Sequence, residues 1–403
     1  MNTLRPTIFA AAMLAVVVAC DHDELLEDAT PAPAPDGADG GAPPPDVDAA
    51  LADAKTGGDA TNDEPSNCSH DGFCWTKLPA GQTLRGVWSD AESSAWAVSA
   101  QGNVLRWDGT SWTIAWTAPG ALFTIWGSSS TDLWVGGEKG LFHGQGSTPG
   151  TITWTPTTFD ASIAASIPVL DIAGSGPNDV WAIGSAFDFS TSPSQQRSVV
   201  RHYTGGDASS EDAWPVDPIS YRPGLFRKIL VRPNGDAWIC GDRDGQYPTP
   251  PAYVLRRESV EGGGMTWTEQ TIPFDNNDLF TRVDGAGFVG NDLRVVGWRG
   301  VRSRVTSMLV GSVSGPTGET WTEDASLVTV YSHFAIWGRA ANDIYLAGSF
   351  GRFRHFDGTA WSLVRISIDG LPVTNDFRAM AINPENELWV VGNDIALHKK
   401  LVP

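Results

Sequence analysis

Helical patterning is the first thing this sequence lacks. Beyond residue 66 no stretch carries apolar residues at i, i+3, i+4 and i+7 for long enough to make a helix, so the folded part reads as all-β. Cysteine is scarce, with 4 among 403 residues, and each one needs its own account. Positive charge is short. The 27 Lys and Arg face 47 Asp and Glu, a net charge of −20, which argues against a nucleic-acid partner. After the first twenty residues no apolar run approaches the roughly 20 residues of a membrane span. Catalytic signatures are missing too: there is no G-x-S-x-G elbow, P-loop, H-E-x-x-H or dinucleotide fingerprint. The expectation is a protein that is not an enzyme.

The chain opens "MNTLRPTIFAAAMLAVVVAC", an early Arg5 followed by a short apolar run. That is the layout of an export signal, residues 1–19. The ending "VVAC" is similar to a bacterial lipobox, which makes Cys20 the lipidated first residue of the mature protein. The protein is then anchored to a membrane in the bacterial cell envelope, at the outer membrane or cell surface. Asp21, after the cysteine, is in some two-membrane bacteria a signal for the inner membrane, facing the periplasm. Residues 20–65, with "PAPAPDGADGGAPPPDVDAA" at their centre, have no hydrophobic periodicity and read as a disordered tether. Thirteen acids and one lysine lie between Asp21 and Asn67, a net −12. With +1 from Arg5, about −9 remains from Cys68 onward. The tether holds itself extended by self-repulsion.

Residues 66–403 are repetitive. The clearest copies are "LFTIWGSSSTDLWVGG" (122–137), "VLDIAGSGPNDVWAIG" (169–184) and "FAIWGRAANDIYLAG" (334–348); weaker ones begin near residues 84, 229, 288 and 379. Each copy has an apolar run, a turn, an Asp or Glu, x-Trp-x-x-Gly, an alternating run, a second turn and a Trp. Runs of four to seven residues between turn formers are strand signals. Four strands per unit and seven units predict a single seven-bladed β-propeller. The second-strand aromatics are Trp96, Trp134, Trp181, Trp238, Tyr345 and Trp389, with Arg294 breaking the column. The glycines are Gly137, Gly184, Gly241, Gly297, Gly348 and Gly392, with Ser99 the exception. A glycine there lets another backbone approach closely. The fourth-strand column holds Trp112, Trp154, Trp214, Trp267, Trp321 and Trp361.

The seventh of those tryptophans is Trp75. The last copy reaches its third strand, "IALHKKL", and the opening "CWTKLP" then supplies the fourth, closing the ring and removing an edge. Cys68 and Cys74 precede that strand and are expected to form a disulfide in an exported protein. A metal site with His70 and Asp71 lacks a second cysteine pair. Cys240 reads as a buried small apolar residue.

The pattern "WGSSSTDLWVGGEKG", with "WDGTSW" or "FDGTAW" after it, resembles the bacterial BNR-type (Asp-box-like) repeat propellers and those similar to the photosystem II assembly factor. The resemblance covers residues 75–403 and implies the propeller fold. Asp108 stands directly against Gly109, which departs from the S-x-D-x-G-x-T-W spacing of the sialidase Asp-box.

The sequence also offers candidate sites. Insertions at 185–198, 217–224 and 242–252 fall on one face of the propeller and carry Phe187, Phe189, Tyr221 and Tyr247. Arg299 and Arg302 belong to an arginine run with Arg294 and Arg304, which reads either as a carboxylate clamp or as a solvated blade face. Asp242, Asp244, Asp275 and Asp278 could meet as oxygen donors for calcium, the one cofactor considered. His143, His202, His355 and His398 recur on the third strand and read as a repeat position. The functional expectation is a monomeric, non-catalytic binding or scaffold module for an envelope protein or a glycan. The alternative is a sialidase-like glycan hydrolase or lyase with its site at the channel mouth.

Overall fold

The computed structural model describes residues 67–91, 94–157, 159, 167–188, 195–222, 224–242, 252–260, 263–270, 272, 280–300, 305–312 and 320–401. Expectations for Cys20, the tether, Phe189, Tyr247, Arg302, Asp244, Asp275 and Asp278 lie outside these residues. Among the described residues there is no α-helix. Strands are joined by turns, with two short 3-10 segments at Glu211–Ala213 and Ser349–Gly351.

The first sheet shows the unit. Leu84–Ala91, Ser94–Ser99, Asn103–Trp107 and Trp112–Thr117 pair antiparallel in chain order. The sheets that follow begin with the first strands Leu122–Ser129, Val169–Gly176, Leu225–Val231, Phe280–Val289, His333–Ala340 and Phe377–Ile382. Each first strand lies beside the first strand of the next sheet, and Phe377–Ile382 lies beside Leu84–Ala91. Phe280–Val289 and His333–Ala340 even share one parallel bridge, Val289 opposite Gly338. In the last sheet the outer strand is Cys74–Trp75, with Cys74 opposite His398 and Trp75 opposite Leu397. The Cys68–Cys74 disulfide is formed. It closes a loop that inserts Phe73, 1% exposed, against Phe353 with ring centres 4.9 Å apart.

The tryptophan columns hold the sheets to one another. Among the described residues the buried apolar side chains form seven clusters, each bridging two successive sheets. In six of them the second-strand aromatic of one sheet shares a cluster with the outermost aromatic of the next; in the seventh, where Arg294 fills the column, Val296 takes part instead. Trp134 meets Trp214 at 5.1 Å and Trp181 meets Trp267 at 5.6 Å, both edge to face, a favoured aromatic geometry. Trp75 packs on the cluster that holds Tyr345, and Trp389 packs with Trp112. Cys240, 0% exposed, lies beside Trp238 in one of these cores.

The glycine column has a steric cause. A Cβ on Gly392 would lie 1.8 Å from the Asp376 carbonyl oxygen, and one on Gly297 would lie 1.9 Å from that of Arg282. The first strand's backbone crosses against the end of the second strand at this level, so only glycine fits. The recurring histidines stack on the second-strand ring and bind the acid before it. His143 stacks on Trp134 at 3.6 Å and bonds Asp132 at 2.6 Å; His202 does the same with Trp181 and Asp179. His355 pairs with Asp343 and His398 with Glu387. Burial alone would raise the carboxyls of Asp132 and Asp179. The bonds from the histidine and from Ser128 or Ser175 outweigh it and hold both below the ordinary carboxylate range.

The structure corrects several details. Residues 185–188 and 195–198 are ladder, not loop, because the hairpin pairs out to Asp188 and Gln195. Trp214, although 0% exposed, is not on a strand. The polar stretch before it forms an Asx turn, with Ser209 N–H donating to Asp207, and only Val216 bridges back to Arg201. Arg294 is buried at 6% and not solvated, because it occupies the tryptophan column. It has Asp292 within 3.9 Å.

Candidate functional site

One irregularity recurs at the same place in every first strand. Ladder register slips by one residue directly after the buried residue that faces the column glycine or Ser99: Leu84, Leu122, Val169, Phe226, Val283, His333 or Phe377. The extra residue is a β-bulge, a device that bends a strand and re-aims a side chain. The bulge residues are Arg85, Phe123, Leu170, Arg227, Asp284, Phe334 and Arg378. They lie on the seven neighbouring first strands, at the mouth end, where connections from the preceding sheets arrive and second strands turn into third. The seven vary in chemistry while the residues before them are all buried, with six of those seven apolar. The fold therefore fixes the backbone here, and the residue type at the bulge varies from sheet to sheet.

Charge gathers at this mouth. Arg227 faces Asp242, Arg282 faces Asp284, Arg378 faces Asp376 and Lys228 acts on Asp171, with Arg85 on the bulge of the first sheet, in a chain of net charge −20. The carboxylates are engaged in holding sheets together. Asp171 accepts from Thr124 Oγ1 at 3.2 Å and from the Ile229 N–H at 3.0 Å, so it ties three successive sheets. Burial raises its carboxyl, against the pull of Lys228 and of those donors. Asp242 binds Arg227 through one oxygen and accepts the Val283 N–H with the other, 2.7 Å. Asp376 accepts from Arg378 at 3.0 Å and from the Phe350 N–H at 2.7 Å. Asp284, its side chain fully buried, pairs with Arg282 at 2.8 Å. The Arg378 guanidinium lies 4.7 Å over the Phe334 ring.

The residues singled out from sequence distribute unevenly. Phe187 stands opposite Gln196 in the third sheet's hairpin. Tyr221 is 37% exposed on the connection from the third to the fourth sheet. That connection is pinned along Gln195–Tyr203: Asp217 N–H donates to Val200, and Gly224 N–H to Gln196. Beside it runs a groove of about 420 Å³ lined by Asp217, Ile219, Arg257, Met265 and Trp267, where the Trp267 indole N–H donates to Asp217 at 3.1 Å. Arg299, at the end of the fifth sheet's second strand opposite Phe280, binds Glu323 at 2.5 Å, so the carboxylate it holds is the protein's own. Among the described residues no three His, Cys, Asp or Glu form a metal-holding group. The bulge ring was not read from the sequence. Its signal was there, in one residue of changing chemistry following an apolar one in each copy, but a bulge is visible only in register.

No protein-family model matches this sequence, and no curated protein matches it. Solved structures do. YCF48 bound to D1 peptide is 16% identical, with a TM-score of 0.56, covering 84% of this chain and 98% of that one. PorZ, an essential bacterial surface component of the type-IX secretion system of Porphyromonas gingivalis, is 14% identical with a TM-score of 0.56, covering 80% of this chain and 47% of that one. The RRP9 WD40 repeats are 9% identical with a TM-score of 0.55, covering 84% of this chain and 100% of that one. At such identities the likeness carries the fold, and with the curled all-β sheets it makes the chain a β-propeller.

Proposed function

We propose that this chain is a seven-bladed β-propeller closed by its own first strand, which binds a protein partner at the channel mouth without transforming it. The seven-blade count is supported by the seven inter-sheet clusters and by the cycle of first strands that returns from Phe377–Ile382 to Leu84–Ala91. A signal peptide, lipidation at Cys20 and the acidic tether would hold the monomeric propeller at a bacterial envelope membrane.

The observation that carries the binding reading is the division of labour at the bulge ring. Asp171, Asp242 and Asp376 are committed to neighbouring sheets and Asp284 to Arg282, whereas acid–base chemistry needs a carboxylate directed at substrate. Arg85, Arg227 and Arg378 are placed by bulges; Arg227 and Arg378 are ion-paired to Asp242 and Asp376, and a guanidinium carries five donors, so it can serve a partner carboxylate as well. YCF48, of the same fold, is seen bound to a D1 peptide, which favours an extended protein segment as the partner class.

The test is titration of the purified chain with a labelled octapeptide of alternating Glu and Leu, and with its Lys counterpart. The Glu peptide should bind saturably and weaken with salt. Arg85→Glu together with Arg227→Glu should weaken it by about tenfold, roughly 1.4 kcal/mol. Equal binding of the Lys peptide, or indifference to the substitutions, overturns the reading. For the anchor, Cys20→Ser should release the protein from membranes on washing; retention by the membrane defeats lipidation.

A further inference from the structure

Among the described residues the third sheet has three strands where the others have four, and it ends at Gln195–Tyr203. The connection that follows covers its edge. Asp217 N–H donates to the Val200 carbonyl at 2.8 Å, Tyr221 N–H to that of Ser198 at 2.7 Å and Gly224 N–H to that of Gln196 at 3.1 Å. Next to this connection stands the outer strand of the fourth sheet, Met265–Glu269. It pairs on one side with Tyr253–Ser259, and among the described residues no strand pairs on the other.

The groove of about 420 Å³ lies between the two. Asp217, Pro218 and Ile219 line it from the connection, and Met265, Thr266 and Trp267 from the strand. Side chains alternate between the faces of a strand, so three successive residues reach the groove only because it runs along the strand's edge. Every outer strand ends a sheet. What marks this one is a second backbone beside the edge and a charge behind it. Arg257 lies in the groove, half-buried and directly opposite Trp267 in the ladder. Its guanidinium is 4.8 Å over the Trp181 ring, a contact that spends none of its five N–H donors as hydrogen bonds. Among the described residues no carboxylate pairs with it. By contrast Arg227, Arg282, Arg299, Arg339 and Arg378 each have one at 3.0 Å or less. Asp217 is occupied otherwise. Its Oδ1 accepts the Ile219 N–H at 2.9 Å and the Trp267 indole N–H at 3.1 Å, which fixes the far wall. Met265 is 52% exposed and shares a strand face with Trp267.

We propose that this groove is a second docking site, where an extended segment of a partner protein adds a fifth strand to the fourth sheet, with one carboxylate on Arg257 and an apolar side chain against Met265. The unpaired edge selects the occupant. Its N–H and C=O groups repeat with the two-residue period of another extended chain, which a glycan or a lipid does not carry. The unpaired guanidinium selects an acidic side chain at one position. The groove borders an outer strand and the bulge ring lies on first strands, so neither site depends on the other.

The experiment uses a labelled nonapeptide of threonines with leucine, glutamate and leucine at its third, fifth and seventh positions. One counterpart has glutamine for glutamate, and another has two successive backbone N-methyl groups at its centre. Affinity is measured on the parent chain, Arg257→Gln and Arg85→Glu, with Tm for each variant, and amide hydrogen exchange is followed on the parent. The glutamate peptide should bind the parent about tenfold tighter than either counterpart. Bound at saturation, it should slow exchange at residues 265–269. Arg257→Gln should erase the preference for glutamate over glutamine, and Arg85→Glu should change nothing. The rim site is overturned if binding is not saturable, if exchange at 265–269 is unchanged, if the N-methylated peptide binds equally, or if Arg257→Gln keeps the preference. Binding lost in Arg85→Glu with 265–269 unprotected assigns the peptide to the mouth, and then the rim site falls while the mouth reading stands.

Discussion

The indole of Trp389, in the last sheet, meets that of Trp112, in the first, edge to face with ring centres 5.5 Å apart. Trp112 also donates its indole N–H to Thr76 Oγ1 at 2.9 Å, and the Thr76 N–H donates to the Ala396 carbonyl at 2.9 Å. Three distant points of the chain are joined at one place. Trp389, 0% exposed, is therefore expected to be worth a full core aromatic. Trp389→Ala should cost about 3–5 kcal/mol in urea unfolding, and a loss under about 1 kcal/mol would remove this joint from the stability of the ring.

The closing strand gives a second expectation. Deleting residues 66–79 should expose the edge of Ile395–Lys400, empty the place of Phe73 and cause aggregation or a large fall in Tm. Deleting 21–60 should leave Tm unchanged. Replacing Cys68 and Cys74 by serine should cost about 2 kcal/mol, less than loss of the strand itself. Equal Tm values for the two deletions would contradict closure.

Gly392→Ala tests the steric reading of the glycine column. The new methyl would sit 1.8 Å from the Asp376 carbonyl oxygen, and a carbonyl cannot swing aside as a side chain can. A loss of about 1–3 kcal/mol is expected. Gly140→Ala has open space but φ 100°, and should cost about 1 kcal/mol through backbone strain alone. The reverse order would refute the close approach.

His333 should make stability depend on pH. It is 0% exposed at a position filled by Leu, Val or Phe in the other first strands. Burial, reinforced by Arg354 and Arg352, depresses its pKa to about 3 against the tabulated 6.5. A histidine with a lowered folded pKa binds its proton in the unfolded chain first. Stability is therefore unaffected above about 6.5 and falls as pH drops from there toward 3, by up to about 1.4 kcal/mol per pH unit. The lowered Asp132, Asp179 and Asp343 contribute stability above their unfolded pKa of about 3.8, lost as pH falls below it. Between pH 4 and 6 the parent should thus lose stability against His333→Phe, followed by urea midpoints. Parallel pH profiles for the two proteins would overturn the assignment.

The repeat grammar by itself determined much of this molecule. Period-2 runs between turn formers specified strands, and the Trp and Gly columns specified which residues face a neighbouring sheet and where backbone crosses backbone. The disulfide was legible in the pairing of two of the few cysteines six residues apart. These are local or periodic constraints, and periodicity is written in sequence. The bulge ring, the committed carboxylates and the groove beside Met265–Glu269 were decided by tertiary structure alone. A bulge depends on which residue pairs across the ladder, and Asp171 is a tie between sheets only because Thr124 and Ile229 come to either side of it. The groove exists because the connection at 217–219 runs beside residues 265–267. Arg294 shows the same limit from the other side. Its charge suggested solvent, and its place in the tryptophan column put it in the core, because the column is set by how sheets stack and not by the polarity of the one residue that fills it.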